Sequence, residues 1–119
     1  MKVYRGGSKE WTTGVGYRKK VILEEAEMGI QGSFIQEVRF NAGETVPPHY
    51  HRIQKEVFYA LTRIEFEING ERILMQPGDI VVCEPGDVHG NPHMPKESRI
   101  LVIKVDFAED DTVWMSPGP

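Results

Sequence analysis

Three of the chain's four histidines fall in two short segments, together with one glutamate. The first segment runs Gly43-Glu-Thr-Val-Pro-Pro-His49-Tyr-His51-Arg-Ile-Gln-Lys-Glu56. The second runs Gly78-Asp-Ile-Val-Val-Cys-Glu-Pro-Gly86-Asp-Val-His89. His49, His51, Glu56 and His89 together offer three imidazoles and one carboxylate, a ligand set for one divalent transition metal ion. A His-x-His pair alone is usually incidental, and a lone His after a Pro-Gly turn means little. Their conjunction in a strand-rich chain points to metal ligation. The competing reading is a polar, hydrogen-bonded lining without metal.

The elements that carry these residues must deliver them to one point. Alternate side chains of a strand share a face, so His49 and His51 look the same way. Glu56 comes five residues after His51, where strict alternation would turn it outward. A turn or bulge within Arg52-Ile53-Gln54-Lys55 must restore the inward direction. His89 arrives on a separate strand, so bound metal should clip two parts of a sheet together and stabilise the fold. Pro47-Pro48 stiffens the entry to His49, because each ring fixes φ and Pro47 is pushed to extended backbone.

The remaining signals are strands and turns. Val21–Leu23 is a short strand. Ser33–Phe40 alternates, with Phe34, Gln36, Val38 and Phe40 on one face. Glu56–Leu61 is aromatic and β-branched. Ile64–Ile68 and Glu71–Gln76 flank Asn69-Gly70, a strong hairpin signal. Pro77-Gly78 and Pro85-Gly86 read as turns. Ser98–Phe107 is a long last strand, while Thr12–Gly16 reads as loop. Regular short strands with such turns indicate an all-β sandwich or barrel. Strand parity turns Phe58 and Ala60 inward with Glu56. Gln36, Phe58 and Ala60 are therefore candidate pocket residues, Gln36 being equally well an ordinary core amide. Arg39, Lys55, Arg63 and Lys104 either steer an anionic substrate or are scattered surface charge, the safer reading.

The two histidine segments resemble the paired motifs of the cupin superfamily. The first motif, Gly-x5-His-x-His-x(3,4)-Glu-x6-Gly, is matched at Gly43, His49, His51 and Glu56. The second, Gly-x5-Pro-x-Gly-x2-His-x3-Asn, is matched at Gly78, Gly86 and His89. Arg63 replaces the final Gly, Glu84 stands at the Pro position, and His93 replaces the Asn. None of these is a ligand position. The resemblance implies a double-stranded β-helix, or jelly-roll, barrel over about residues 33–106, within a single domain spanning 1–119. It implies metal binding by His49, His51, Glu56 and His89, and it marks His93 as a residue of the pocket mouth. Members of the family include dioxygenases, decarboxylases, isomerases, lyases and metal-free binding proteins.

Composition narrows the partners. The chain has 119 residues, a formal net charge of -4 and a pI of about 5.6, which argues against nucleic acid. No apolar run is long enough for a membrane-spanning helix, and the N-terminus lacks a signal-peptide core. Cys83, the only cysteine, lies in the apolar run Ile80–Cys83 and reads as a buried thiol in a reducing cytoplasm. Imidazole-rich ligation suits Fe, Zn, Ni or Cu, and the carboxylate keeps Mn in the set. The expectation is a metal-dependent enzyme on a small oxygenated or carboxylate-bearing metabolite, with oxygenase chemistry slightly favoured. The alternatives are a non-redox isomerase or decarboxylase and a non-catalytic ligand-binding protein. A homodimer is also expected, because Thr112-Val113-Trp114-Met115, Tyr4 and Trp11 have no evident place in the barrel.

Overall fold

A computed structural model describes residues 1–115. Eleven strands form two antiparallel sheets packed face to face: β1 (Thr12–Thr13), β2 (Arg18–Leu23), β3 (Phe34–Phe40), β4 (Val46–His51), β5 (Lys55–Ala60), β6 (Ile64–Ile68), β7 (Glu71–Met75), β8 (Ile80–Cys83), β9 (His89–Asn91), β10 (Ser98–Val105) and β11 (Thr112–Trp114). One sheet has the order β1-β2-β3-β10-β5-β8 and the other β11-β4-β9-β6-β7. This is the all-β jelly-roll barrel expected from the sequence. A helical turn, Glu25–Met28, links β2 to β3 and stops at Gly29, whose φ of 74° ends the helix.

Alternation builds the core. Val38, Phe40, Phe58, Ile100 and Val102 come from the six-stranded sheet, and Ile64, Phe66 and Met75 from the five-stranded one. Phe58 and Phe66 stack across the two sheets, with ring centroids 5.1 Å apart. Asn69-Gly70 makes the expected hairpin, both residues having positive φ. β10 ends at Val105, short of Phe107, because Asp106 adopts a φ of 56° and turns the chain.

Two expectations are corrected here. Thr12–Thr13 is not loop but a short edge strand paired with β2. More important, the apolar segment Thr112–Trp114 has a place in its own chain. It pairs antiparallel with β4, so that Thr112 faces His51 and Trp114 faces His49. The free edge of β4 accepts it, which removes the tail as a reason for dimerisation.

β4 meets β9 through an irregular register between Val46 and His49, where Pro47 and Pro48 donate no backbone hydrogen bond. The backbone approach there is close. A Cβ on Gly90 would lie 2.6 Å from the Val46 carbonyl oxygen and 3.1 Å from the Pro47 carbonyl carbon. Gly90→Ala should therefore push β9 off β4 and cost about 1–3 kcal/mol. Denaturant unfolding measures it, and an unchanged midpoint would refute the close approach.

Candidate metal centre

His49 and His51 project from β4 and His89 from the start of β9, directly opposite His49. His51 and His89 are buried and His49 is half-buried. One ligand atom from each ring lies within 4.8 Å of the others. The ring orientations are fixed through the Nδ1 atoms. His49 Nδ1 lies 2.9 Å from the Pro47 carbonyl oxygen, and His89 Nδ1 lies 3.0 Å from the Asp87 carbonyl oxygen. His51 Nδ1 lies 3.3 Å from Thr112 Oγ1. When Nδ1–H donates to these oxygens, all three Nε2 atoms keep a free lone pair, the pattern of metal-binding imidazoles.

Glu56 stands beside this group. Its Oε1 is 2.7 Å from His51 Nε2 and 3.2 Å from His89 Nε2. That oxygen is buried and makes no well-directed hydrogen bond among the described residues. The three imidazoles are close enough together to hold one divalent transition metal ion, and Glu56 adjoins two of them. Glu56 is also shared: its Oε2 lies 3.1 Å from Lys104 Nζ.

The electrostatics keep His49 and Glu56 in ligating form. Burial, with the positive potential of His89, pushes His49 down to about 4, so the ring is neutral at pH 7. Burial raises the Glu56 carboxyl, but contacts with His51, His89 and Lys104 outweigh it and hold the pKa well below the ordinary value. Cys83 faces Glu56 across β5 and β8. Burial, with Glu56 and Asp87, lifts its thiol to about 12, so it is a protonated, buried filler.

The inward turn between His51 and Glu56 exists and is held from afar. A bend at Arg52–Ile53 separates β4 from β5. The buried carboxylate of Asp111 accepts hydrogen bonds from the backbone N–H groups of Arg52, Ile53 and Gln54, at 2.9–3.1 Å. The next residue, Thr112, touches His51, and Trp114 packs on His49 with ring centroids 4.7 Å apart. From the other side, Gly86 N–H donates to the His51 carbonyl at 2.8 Å, which ties the Pro85-Gly86 turn to β4.

The histidines open onto a cavity of about 220 Å³ between the sheets. Gln36 and Phe58 line it. Ala60 is fully buried and off its wall, because the core closes over that part of β5. His93 is not at the mouth. It is exposed and lines a separate hollow with Arg63 and Ser98. Its neighbour Met94 is buried and bonded through its backbone to Gly43 and Glu44, which turns His93 outward. Lys104, weighed as surface charge, points into the cavity together with Lys19, Tyr17, Gln54 and Asn91.

A family model described as a Cupin domain matches residues 36–104. Among solved structures, the polyketide cyclase RemF from Streptomyces resistomycificus is 19% identical, covering 100% of this chain and 89% of that one with a TM-score of 0.80. KdgF from Halomonas sp. is 20% identical, covering 92% and 97%, with a TM-score of 0.76. The nucleoside dehydratase Pac13 from Streptomyces is 14% identical, covering 97% and 91%, with a TM-score of 0.74. No curated protein sequence matches. At these identities the likeness is one of fold.

Asp111→Ala should free the Arg52–Gln54 bend and displace His51 and Glu56. We expect metal affinity to fall about 10–100-fold, the range for loss of a group that orients ligands. Competition with a chromophoric chelator measures it. Unchanged affinity in a folded variant would separate the clasp from the centre.

Proposed function

The chain belongs to the cupin family, and we propose that it is a metal-dependent enzyme acting on a small hydroxylated metabolite that carries a carboxylate. His49, His51, His89 and Glu56 would hold one divalent ion, Fe, Mn, Zn, Ni or Cu, whose chemistry there is to polarise a substrate oxygen. The observation that carries the reading is the company the imidazoles keep. Lys19 and Lys104 line the same cavity, as do Gln36 and Gln54, whose buried amide oxygens have no hydrogen-bond partner among the described residues. Two ammonium groups suit a carboxylate, and two unpaired carbonyl oxygens suit substrate hydroxyls.

These residues also favour one kind of reaction. Proton transfer next to a carbonyl builds negative charge, and nearby cations stabilise it. Burial and the charge of Lys104 lower the Lys19 pKa, against the opposing pull of Glu56, which moves Lys19 toward the range useful for passing a proton. Burial and Glu56 raise the Tyr17 pKa, so its phenol stays protonated and able to donate. The ammonium pair thus shifts the balance from oxygenase chemistry to non-redox isomerisation or elimination. A cyclase and a dehydratase of similar fold are in keeping with that.

Protein purified without chelators should contain about one divalent ion per chain by elemental analysis. Metal-loaded protein should turn over a small hydroxy or keto acid without consuming oxygen. Lys19→Met should raise KM for that acid about tenfold or more, the worth of one charged hydrogen bond, and leave metal content unchanged. Oxygen uptake during turnover would restore the oxygenase reading. Saturable binding of such acids without turnover by any metal form would make the protein a binding module.

A homodimer keeps a physical basis away from the tail. Tyr59, Ile80 and Val82 are exposed on the outer face of the six-stranded sheet, at its β8 edge. We place the contact between two copies there. Light scattering at micromolar concentration should give twice the chain mass, and Ile80→Asp should give the monomer. A monomer without the substitution overturns it.

A further inference from the structure

The opposite end of that outer face has a different character. In the strand register Arg18 stands opposite Arg39, and Arg39 stands opposite Arg99. Their neighbours Lys19, Val38 and Ile100 face the cavity or core, so alternation turns all three arginines outward. Lys20 lies two residues beyond Arg18 on the same face. Like charges directly opposite on paired strands are destabilising. One carboxylate stands among them: Glu37, opposite Lys20 and 3.6 Å from Arg99 Nη1. Among the described residues, Arg18, Lys20 and Arg39 make no ion pair. This concentration of positive charge sits on a chain whose formal net charge is -4.

The cations are ordered by an aromatic ring. The Trp11 ring centroid lies 4.6 Å from the Arg39 guanidinium, 5.1 Å from Lys20 Nζ and 5.8 Å from the Arg18 guanidinium. Cation–π contact offsets part of the repulsion and holds the guanidinium groups in place. The Nε atoms of Arg18 and Arg39 are buried without a partner among the described residues. Their terminal nitrogens, which make no hydrogen bond within the described residues, are the donors left for a ligand.

We propose that Arg18, Arg39 and Arg99, with Lys20, form a binding site for a small molecule carrying linked phosphates, on the side of the sheet away from the cavity. Adjacent strands are about 4.8 Å apart, so three arginines in a row span about 10 Å. That length suits a chain of phosphates better than a single carboxylate, and the guanidinium fork pairs with phosphate oxygens two at a time.

Calorimetric titration of the metal-loaded full chain with pyrophosphate and with inorganic phosphate tests the site. Pyrophosphate should bind at least ten times more tightly than inorganic phosphate, and its binding should weaken as salt rises. The double variant Arg39→Gln, Arg99→Gln should lose at least tenfold in pyrophosphate affinity with metal content intact. Lys19→Met, which alters the cavity, should leave that affinity unchanged. If the double variant does not fold, side-chain ¹⁵N–¹H spectra of the unmodified protein decide: the Nε–H signals of Arg18, Arg39 and Arg99 should shift on adding pyrophosphate. No saturable binding at millimolar pyrophosphate overturns the proposal. So does binding that survives the arginine changes or disappears with Lys19→Met, which would put the anion in the cavity, and so do unmoved arginine signals. The metal-centre reading stands or falls separately, on turnover and metal content.

Discussion

The hydrogen bonds from Arg52, Ile53 and Gln54 to the Asp111 carboxylate hold the bend that brings Glu56 beside His51. β4 brings His51 inward, and β5 must bring Glu56 inward after an odd number of residues. A continuous strand would fail. The chain has to bend, and a bend exposes backbone N–H groups that a buried region must satisfy. Asp111 satisfies three of them with one charge. Burial raises its pKa, but those donors outweigh burial and keep the group ionised. The same stretch of chain then sets His51 through Thr112 and covers His49 with Trp114. The C-terminal strand is thus part of the site's architecture.

The second constraint is the cost of buried charge. Glu56 is 5% exposed and would be expensive as an isolated carboxylate. It is surrounded by two imidazole nitrogens and the Lys104 ammonium. Lys104 in turn lies on β10, directly opposite Glu56 on β5, so the sheet register itself makes the pair. Lys104 balances the outer carboxylate oxygen, and a divalent ion among the imidazoles would balance the inner one.

Much of this was legible in the sequence, for reasons that differ by residue. His49, His51, Glu56 and His89 stood out because ligand chemistry is confined to few residue types and strand alternation fixes their direction. Gln36 and Phe58 followed from parity. Lys104 was legible in principle, since it continues the inward series Ile100 and Val102 on β10, but a lysine on a strand is usually a solvated charge. Lys19 is the same case on β2. Asp111 and Thr112 carried no local signal: their partners lie 57–61 residues earlier, and only the pairing of β11 with β4 brings them together. The motif position of His93 carries no sign of the backbone bonds that pin Met94 inward and turn its neighbour out.

Period-two alternation also explains how one strand serves two surfaces. On β2, Lys19 faces the cavity while Arg18 and Lys20 face solvent beneath Trp11. On β3, Gln36 lines the cavity while Arg39 stands in the outer row. On β10, Lys104 reaches Glu56 while Arg99 lies outside. Three neighbouring strands thus carry polar chemistry on both faces, where an ordinary sandwich has core on one side and mixed solvated residues on the other. Of the inner cations, Lys104 is paired with Glu56. Among the described residues the outer ones have one carboxylate, Glu37, an indole ring and, for Lys20, the Gly6 carbonyl oxygen, so positive charge is in excess on the outside of the sheet, where a ligand can reach it.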